Sequence, residues 1–232
     1  MTLAPENQAV IFDWNGTIPD DSFLFCEATN KILLLLGASP VAIDPYREAY
    51  DVPVNNMYRA FGCSEESMAE HRQEMVEVWR DHYEANVASV QLRDGVKDML
   101  AEISARGHRL TVLSNYVRES IAAQAGALGI AEYFDAILAR PHADLKDVMH
   151  SKGKGDRLHA YVRENKVQQA IIVGDSPEEM EIARAFGCVS VGISGGCCSE
   201  ARIRSAKPDY FVHHVKEIPP IVRHEFKNRR GA

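Results

Sequence analysis

Residues 9–17, Ala-Val-Ile-Phe-Asp-Trp-Asn-Gly-Thr, decide the fold. The apolar run Val10-Ile-Phe12 ends abruptly on Asp13, and Gly16 follows three residues later. Such a run predicts a buried strand with a carboxylate at its carboxyl end. In open α/β sheets ligands bind at that edge. A carboxylate fixed there can hold a metal or act as a nucleophile, and a glycine lets the loop backbone approach an anion closely.

Composition limits the class of protein. The chain has 232 residues, of which 46% are hydrophobic, enough for one large domain or for a core domain with a smaller insert. Its net charge of −7 argues against a general binder of nucleic acid or of membrane surfaces. Five cysteines without Cys-x-x-Cys spacing favour reduced thiols. Because there is neither a signal-peptide pattern nor a long apolar run, we expect a cytoplasmic protein.

Further strand patterns return after residue 90 and alternate with helical ones. Strands are predicted at 110–115, 136–138, 170–175, 189–193 and 210–212, and helices at 116–128 and 176–186. This alternation is typical of βαβ units and a mainly parallel sheet. The polar residues that end three of these strands, Asp13, Ser114 with Asn115, and Asp175, are therefore expected to gather along one edge.

No strand pattern is present between residues 19 and 90. The sequence Pro19-Asp-Asp-Ser22 is typical of a helix start, and helices are predicted over 23–36 and 68–84. The expected fold is therefore an α/β protein, with a Rossmann-like, mainly parallel sheet core and a small α-helical cap. The predicted domains are 1–18 with 91–232 for the core and 19–90 for the cap.

The polar strand ends suit phosphate chemistry. Asp13 and Asp175 would place two hard oxygen ligands together, as Mg²⁺ prefers when water and a substrate phosphate complete its coordination. Ser114 could donate a hydrogen bond to a phosphoryl oxygen. The segment 144–157 carries four lysine or arginine side chains just before a helix, and one of them could neutralise phosphate charge.

In this order the motifs resemble those of the haloacid dehalogenase-like (HAD) superfamily. They resemble in particular those of the phosphoglycolate-phosphatase-like members, which carry a helical cap after the first motif. The first motif is matched by residues 13–17, the second by Ser114 and the fourth by Gly174-Asp175 with Glu179. The third motif, a lysine at a helix start, is best matched by Lys152. Lys146 and Lys154 are rivals for that position.

The resemblance implies a Mg²⁺-dependent phosphohydrolase acting on a small phosphorylated metabolite. Asp13 would attack phosphorus and form an aspartyl-phosphate, which water then hydrolyses. The implied metal ligands are Asp13, the main-chain carbonyl of Asn15, and Asp175, with Glu179 orienting metal-bound water. The implied phosphate-binding groups are Lys152, Ser114 and the loop amides of Gly16 and Thr17.

Asn15 departs from the family pattern. The family's phosphatases have an aspartate at this position, which protonates the leaving group and later activates water. An amide cannot carry that proton, and general acid–base catalysis contributes about 10²–10⁴-fold in rate. Two alternatives to a phosphatase therefore stay open. One is a phosphoryl transferase, and the other is a catalytically weakened protein that binds a phosphorylated metabolite.

Substrate contacts are expected from the core and from the cap. Asn115 is predicted to line the pocket beside Ser114, and Arg59 to bind substrate from the cap. Further candidates in the cap and at its entry are Arg47, Tyr58, Asp20 and Asp21. The expected partner is a small phosphorylated molecule rather than nucleic acid or a membrane, and the expected state is a monomer or homodimer.

Overall fold

The computed structural model describes residues 4–141 and 153–228, and six strands in these residues form one parallel sheet. The strands are β1 (Gln8–Phe12), β2 (Arg109–Val117), β3 (Ala136–Arg140), β4 (Gln169–Gly174), β5 (Val189–Ile193) and β6 (Tyr210–Val212). Their order is β3-β2-β1-β4-β5-β6, and every neighbouring pair is parallel. The chain thus winds outward in both directions from β1, the arrangement in which sites form at the carboxyl ends of the central strands.

β1 is buried on both faces. Val10 and Phe12 pack into the apolar cluster on one side of the sheet, while Ala9 and Ile11 pack into the cluster on the other. A parallel strand covered by helices on both faces has to be apolar throughout, which explains the uninterrupted run. Phe12 pairs in register with residues of both β2 and β4. The residues just beyond this register, among them Asp13, Ser114 and Asp175, therefore lie side by side at the carboxyl edge.

Eleven α-helices of the described residues surround or extend this sheet. They are α1 (Ser22–Leu35), α2 (Ile43–Ala49), α3 (Asn55–Ala60), α4 (Glu65–Glu70), α5 (Arg72–Asn86), α6 (Val96–Ser104), α7 (Arg118–Ala127), α8 (Lys154–Glu164), α9 (Pro177–Phe186), α10 (Glu200–Ser205) and α11 (Ile218–Asn228). Helices α1 to α5 all lie between β1 and β2. The predicted fold class is confirmed, while the exact division at residues 18/19 and 90/91 stays a prediction.

The helix predicted over residues 68–84 is wrong in its extent. The structure has two helices here, α4 and α5, which meet at His71. Ser64 starts α4 earlier than predicted, because its Oγ accepts a hydrogen bond from the amide of Ser67. The break has no composition signal, since helix-forming residues stand on both sides of His71.

The helices α1 to α5 share an apolar cluster of their own, and this cluster reaches the core. Cys197, which follows β5, is buried in it together with Tyr46 of α2 and Met57 of α3. Arg47 of α2 donates hydrogen bonds to two carbonyls of the same loop, those of residues 195 and 196, at 3.0 and 2.8 Å. The loop after β5 is therefore the surface on which the helical segment docks.

Candidate active site

Asp13 and Lys154 form a buried ion pair at the carboxyl edge of the sheet. Asp13 follows β1, and its amide donates to the carbonyl of Val173 in β4 at 2.8 Å. Lys154 is the first residue of α8, and its Nζ lies 2.6 Å from Asp13 Oδ1. The two side chains are only 10% and 5% exposed. An amine thus contacts the carboxylate that the sequence marks as the reactive group.

Helix α9 adds two more carboxylates to this pair. Ser176 caps α9 by accepting a hydrogen bond from the amide of Glu178 at 3.2 Å, and its hydroxyl donates to Glu179 Oε2 at 2.6 Å. Glu178 and Glu179 lie in the first helical turn, where the helix dipole favours negative charge. Lys154 Nζ contacts Glu179 Oε1 and lies 3.6 Å from Glu178 Oε2. The Lys154 amine is therefore within ion-pair distance of three carboxylates.

Asp175 comes directly after β4 and is held by two loops. Thr17 Oγ1 donates to its Oδ1 at 3.3 Å, and the amide of Cys197 donates to its Oδ2. Gly16 has a φ of +74°, and a Cβ there would lie 2.5 Å from Asp175 Oδ2. A side chain at position 16 would thus be strained and would also collide with the carboxylate. This glycine lets the first motif close tightly over Asp175.

The charges of this cluster do not balance. Burial raises the pKa of Asp13 well above its usual value; Lys154 opposes this increase, while Glu179 and Asp175 add to it. Burial and the neighbouring Glu179 likewise raise the pKa of Asp175. Burial alone would lower the pKa of Lys154, but Asp13 and the two glutamates raise it well above its usual value. The cluster is short of positive charge, as a site for a cation would be.

The donor set fits Mg²⁺ rather than a closed metal cage. Within residues 4–141 and 153–228, no three carboxylate, imidazole or thiol groups are arranged to hold a metal by themselves. Mg²⁺ is usually bound by one or two carboxylates, with waters and substrate phosphate completing its octahedral coordination. Asp13 and Asp175 supply such a pair of carboxylates, and both are buried against the first-motif loop.

Ser114 and Asn115 extend the site from the end of β2. Ser114 Oγ accepts a hydrogen bond from the amide of Tyr116 at 3.0 Å, so the hydroxyl keeps its own hydrogen for donation. Asn115 Nδ2 donates to Glu178 Oε2 at 2.8 Å, and Arg157 donates to Asn115 Oδ1 at 3.1 Å. These contacts fix both side chains at the wall of one cavity.

Asn15 is paired with a buried carboxylate, that of Asp21. Its Nδ2 donates to Asp21 Oδ2 at 2.7 Å, and the Tyr83 hydroxyl donates to the same oxygen at 2.8 Å. The amide of Gly16 donates to Asp21 Oδ1 at 2.7 Å. Burial raises the pKa of Asp21 to about 6, although all three hydrogen bonds act to lower it. Position 15 thus has an amide in place of the family's carboxylate, and this amide is hydrogen-bonded to the carboxylate of Asp21, six residues later.

The structure brings most of the predicted site residues together. A cavity of about 170 Å³ is lined by Asp13, Asn15, Ser114, Asn115 and Asp175, and Lys154 also faces it. Gly16 and Thr17 lie beside Asp175, while Glu179 contacts Lys154. Lys152, the first choice for the phosphate lysine, and its rival Lys146 lie outside the described residues. The other rival, Lys154, lies against Asp13.

Arg59 is not brought to the cavity, contrary to expectation. Its exposed side chain pairs with Glu65 and Asn56 on the outside of α3. The preceding residue, Tyr58, faces the cavity instead. Successive helix positions point about 100° apart, and in α3 Tyr58 takes the cavity side while Arg59 takes the outer side.

Two contributions were missed by reasoning from sequence. Tyr83 is separated from the first motif by some seventy residues, and no local pattern links the two. Asp21 is expected from the sequence to contact substrate at the cap entry, whereas in the structure it accepts a hydrogen bond from Asn15. Arg47, another expected contact, binds the loop after β5. The pair Asp20-Asp21 directly after the motif was the only available signal, and it is equally typical of a helix start.

Comparison with known proteins identifies the family. The sequence pattern of the haloacid dehalogenase-like hydrolases matches residues 10–193. The chain belongs to this family. The phosphoglycolate phosphatase of Yersinia pseudotuberculosis is 29% identical, and the alignment covers 93% of each chain. The resemblance stated from the sequence motifs is therefore confirmed, and so is the expectation of a HAD-type hydrolase.

Solved structures agree with the HAD assignment. A haloacid dehalogenase-like family hydrolase from Streptococcus pneumoniae is 25% identical and superposes with a TM-score of 0.69 over 92% of this chain and 97% of its own. A protein described as a predicted phosphatase from Clostridium acetobutylicum, 19% identical, gives 0.78 over 94% and 98%. In residues 4–141 and 153–228, no helix has the length and apolar content of a membrane span. Cytoplasmic location and a monomeric or homodimeric state stay predictions.

The contact between Asn15 and Asp21 predicts how the stability of this HAD chain responds when the amide and the carboxylate are exchanged. Asn15→Asp alone would set a half-buried carboxylate against the buried Asp21, about as close as the present 2.7 Å contact, and two such groups cannot both ionise freely. The raised folded pKa of this pair means that stability is present at low pH and is lost as pH rises through it. We expect the single variant to lose about 1–3 kcal/mol in the free energy of unfolding at pH 8.

The double variant Asn15→Asp with Asp21→Asn should recover most of that loss, because an amide again faces a carboxylate. Urea unfolding at pH 5 and pH 8 measures both effects. Equal stability of the native protein and the single variant at pH 8 would contradict the assigned contact, as would a double variant no better than the single one.

Proposed function

We propose that this HAD hydrolase is a Mg²⁺-dependent phosphatase that acts on a small phosphorylated metabolite through an aspartyl-phosphate on Asp13. The observation that carries the proposal is the buried Asp13 carboxylate at the cavity wall, with Lys154 Nζ at 2.6 Å. The phosphoglycolate phosphatase relative supports the reaction class. The same placement makes Lys154, rather than Lys152, our choice for the phosphate lysine.

Asp13 carries out the covalent chemistry in this proposal. Lys154 engages Oδ1, so Oδ2 is the oxygen to which we assign the attack. A bond forms between Oδ2 and phosphorus while the ester bond to the leaving group breaks. Water then attacks phosphorus, the aspartate is released, and the proton of water passes to solvent. In both steps Lys154 neutralises charge on the non-bridging oxygens, and the Ser114 hydroxyl donates a hydrogen bond to them.

The residues proposed to hold Mg²⁺ are Asp13, Asp175 and the main-chain carbonyl of Asn15. When bound, the ion supplies positive charge that stabilises the phosphoryl oxygens. Glu179 is proposed to orient metal-bound water. In the structure it also positions Lys154, because it accepts from Nζ with one oxygen and from Ser176 with the other.

Asn15 acts as an acceptor in this proposal. Its Nδ2 donates to Asp21 and lies 3.2 Å from the Tyr83 hydroxyl, so the hydrogen-bond pattern assigns Oδ1 to the cavity side. An acceptor can orient the attacking water of the second step, but it cannot protonate a leaving group in the first. In this proposal the proton for the departing alcohol oxygen therefore comes from solvent water.

Trapping tests the proposed intermediate. The protein is mixed with p-nitrophenyl phosphate and Mg²⁺, reduced with borohydride, and digested for mass spectrometry. Reduction of an aspartyl-phosphate converts the residue to homoserine, and we expect that product at Asp13 together with release of inorganic phosphate. Homoserine without phosphate release, together with phosphorylation of an added acceptor alcohol, would instead indicate the transferase. No homoserine and no phosphate release would leave only the binding protein.

Mg²⁺ is expected to stabilise the folded protein because the site is short of positive charge. A ligand at one hundred times its Kd adds about 2.7 kcal/mol, which corresponds to a rise of about 5–10 °C in Tm for a chain of this size. Thermal unfolding with and without MgCl₂ measures the rise. The Asp175→Asn variant should lose it while remaining folded without metal, since the substitution removes a buried charge. An equal Mg²⁺ response in both proteins would contradict the ligand assignment.

A further inference from the structure

The cavity that contains the reactive end is largely apolar beyond it. Away from Asp13 and Asp175, the wall is formed mainly by cap side chains. It includes Val54, Met57, Met75, Val76 and Trp79, with Tyr116 from β2. Trp79 is held in place by stacking on Tyr83, with ring centroids 5.0 Å apart and planes inclined by 9°. A leaving group bound next to Asp13 would therefore meet rigid apolar surface.

The charged groups of this wall do not suit a second anion. Among the described residues that line the cavity, Arg80 is the only cation besides Lys154. Arg80 is 38% exposed and its guanidinium is engaged by Asp81. Glu84 and Glu178 also line the cavity and would repel a carboxylate or a second phosphate.

The size of the cavity limits the group that fits. Its volume is about 170 Å³. A cavity of about 150 Å³ lined by apolar side chains holds a benzene molecule in another protein. Because the phosphoryl group takes up part of this volume, the space that remains suits a chain of a few carbon atoms or at most a single ring.

We propose that the substrate of this site is a phosphate monoester whose leaving group is uncharged and apolar, an aliphatic chain of a few carbons or a single ring. This proposal rests on the phosphatase activity proposed above. It separates the chain from its phosphoglycolate phosphatase relative, because phosphoglycolate carries a carboxylate next to the phosphoryl group.

A homologous series of esters tests the leaving group without changing its chemistry. Methyl, propyl and butyl phosphate differ in apolar area while their alcohols have nearly the same acidity. Each buried methylene should raise kcat/KM about fourfold, so butyl phosphate should exceed methyl phosphate by about 60-fold. We expect phosphoglycolate to fall at least tenfold below butyl phosphate. A flat series, or a preference for phosphoglycolate, would overturn the proposal.

Binding separates this proposal from the phosphatase itself. Butylphosphonate, methylphosphonate and phosphonoacetate cannot be hydrolysed at phosphorus through an ester bond, and calorimetry in the presence of Mg²⁺ gives their Kd values. If no ester is hydrolysed, the proposed function fails. A butylphosphonate Kd at least tenfold below those of the other two would still support the apolar cavity, and equal Kd values would overturn it.

Two lysine variants on α5 locate the effect. Val76→Lys would place a cation in the cavity wall, whereas Gln73→Lys adds the same charge on the exposed side of the helix, where Gln73 bonds Glu77. The first should reduce the butyl-to-methyl ratio below about fivefold and raise kcat/KM for phosphoglycolate. The second should leave the ratio unchanged. An unchanged ratio in a folded Val76→Lys variant would count against this wall as the leaving-group site.

Discussion

Asp13→Asn should abolish phosphate release, with a fall in kcat of about 10⁴-fold or more. Removing the nucleophile of a covalent mechanism removes the step that every other group of the site assists, so the loss is far larger than that of a single hydrogen bond. An amide at this position has the shape of the carboxylate but not its nucleophilicity. Colorimetric phosphate release from the preferred ester, with Mg²⁺ present, measures the change.

The matched control for this substitution is Asp98→Asn, an exposed carboxylate on α6 far from the cavity wall. It should keep kcat within about twofold. Asp13→Asn itself should remain folded, because burial raises the pKa of Asp13 and the neutral amide avoids that cost. Retention of more than a tenth of the native kcat by a folded Asp13→Asn protein would contradict the nucleophile assignment.

Lys154→Met should reduce both activity and stability. Loss of one preorganised cation next to the phosphoryl oxygens is expected to lower kcat by about 10²–10³-fold. The same substitution leaves Asp13, Glu178 and Glu179 buried without their shared amine. Removing one partner of a buried ion pair costs about 3–5 kcal/mol in the free energy of unfolding. Kinetics and urea unfolding on the same protein measure the two losses.

Comparison with two other lysines makes this result specific. Lys31→Met, on the exposed face of α1, should change neither quantity. Lys154→Arg should recover much of the stability, because charge is retained, but less of the activity, because a planar guanidinium cannot replace a point charge at 2.6 Å from Asp13. If Lys152→Met lost activity and Lys154→Met did not, the phosphate lysine would be Lys152 after all.

The sheet and the position of the candidate carboxylates, Asp13 and Asp175, are predictable because their signals are local. The run Val10-Ile-Phe12 is apolar without interruption because β1 is covered on both faces, and its termination on Asp13 shows in the sequence itself. Asp175 follows β4 in the same manner. Where an apolar run ends at a polar residue, the sequence pattern itself marks the end of the strand. Parallel pairing then brings the ends of neighbouring strands to the same edge of the sheet.

The remaining parts of the site depend on geometry that the sequence pattern does not contain. The sequence offers both Lys152 and Lys154 for the third motif, and only the position of α8 shows that Lys154 lies against Asp13. Arg59 and Tyr58 are neighbours in the chain, but one turn angle of α3 sends one to solvent and the other to the cavity. The contact of Asn15 with Tyr83 joins two segments that no periodicity connects.

The double attachment of Cys197 has a thermodynamic consequence. Its amide holds Asp175, while its side chain is buried in the cluster of the helices α1 to α5. Docking of those helices on the core is therefore coupled to the orientation of the Asp175 carboxylate. Such coupling is reciprocal. If docking of helices α1 to α5 on the core raises the affinity for a cation at Asp175 by some factor, the bound cation raises the docking equilibrium constant by the same factor. A divalent ion would then act on this protein at a distance, slowing amide hydrogen exchange around Tyr46 and Met57 without touching either residue.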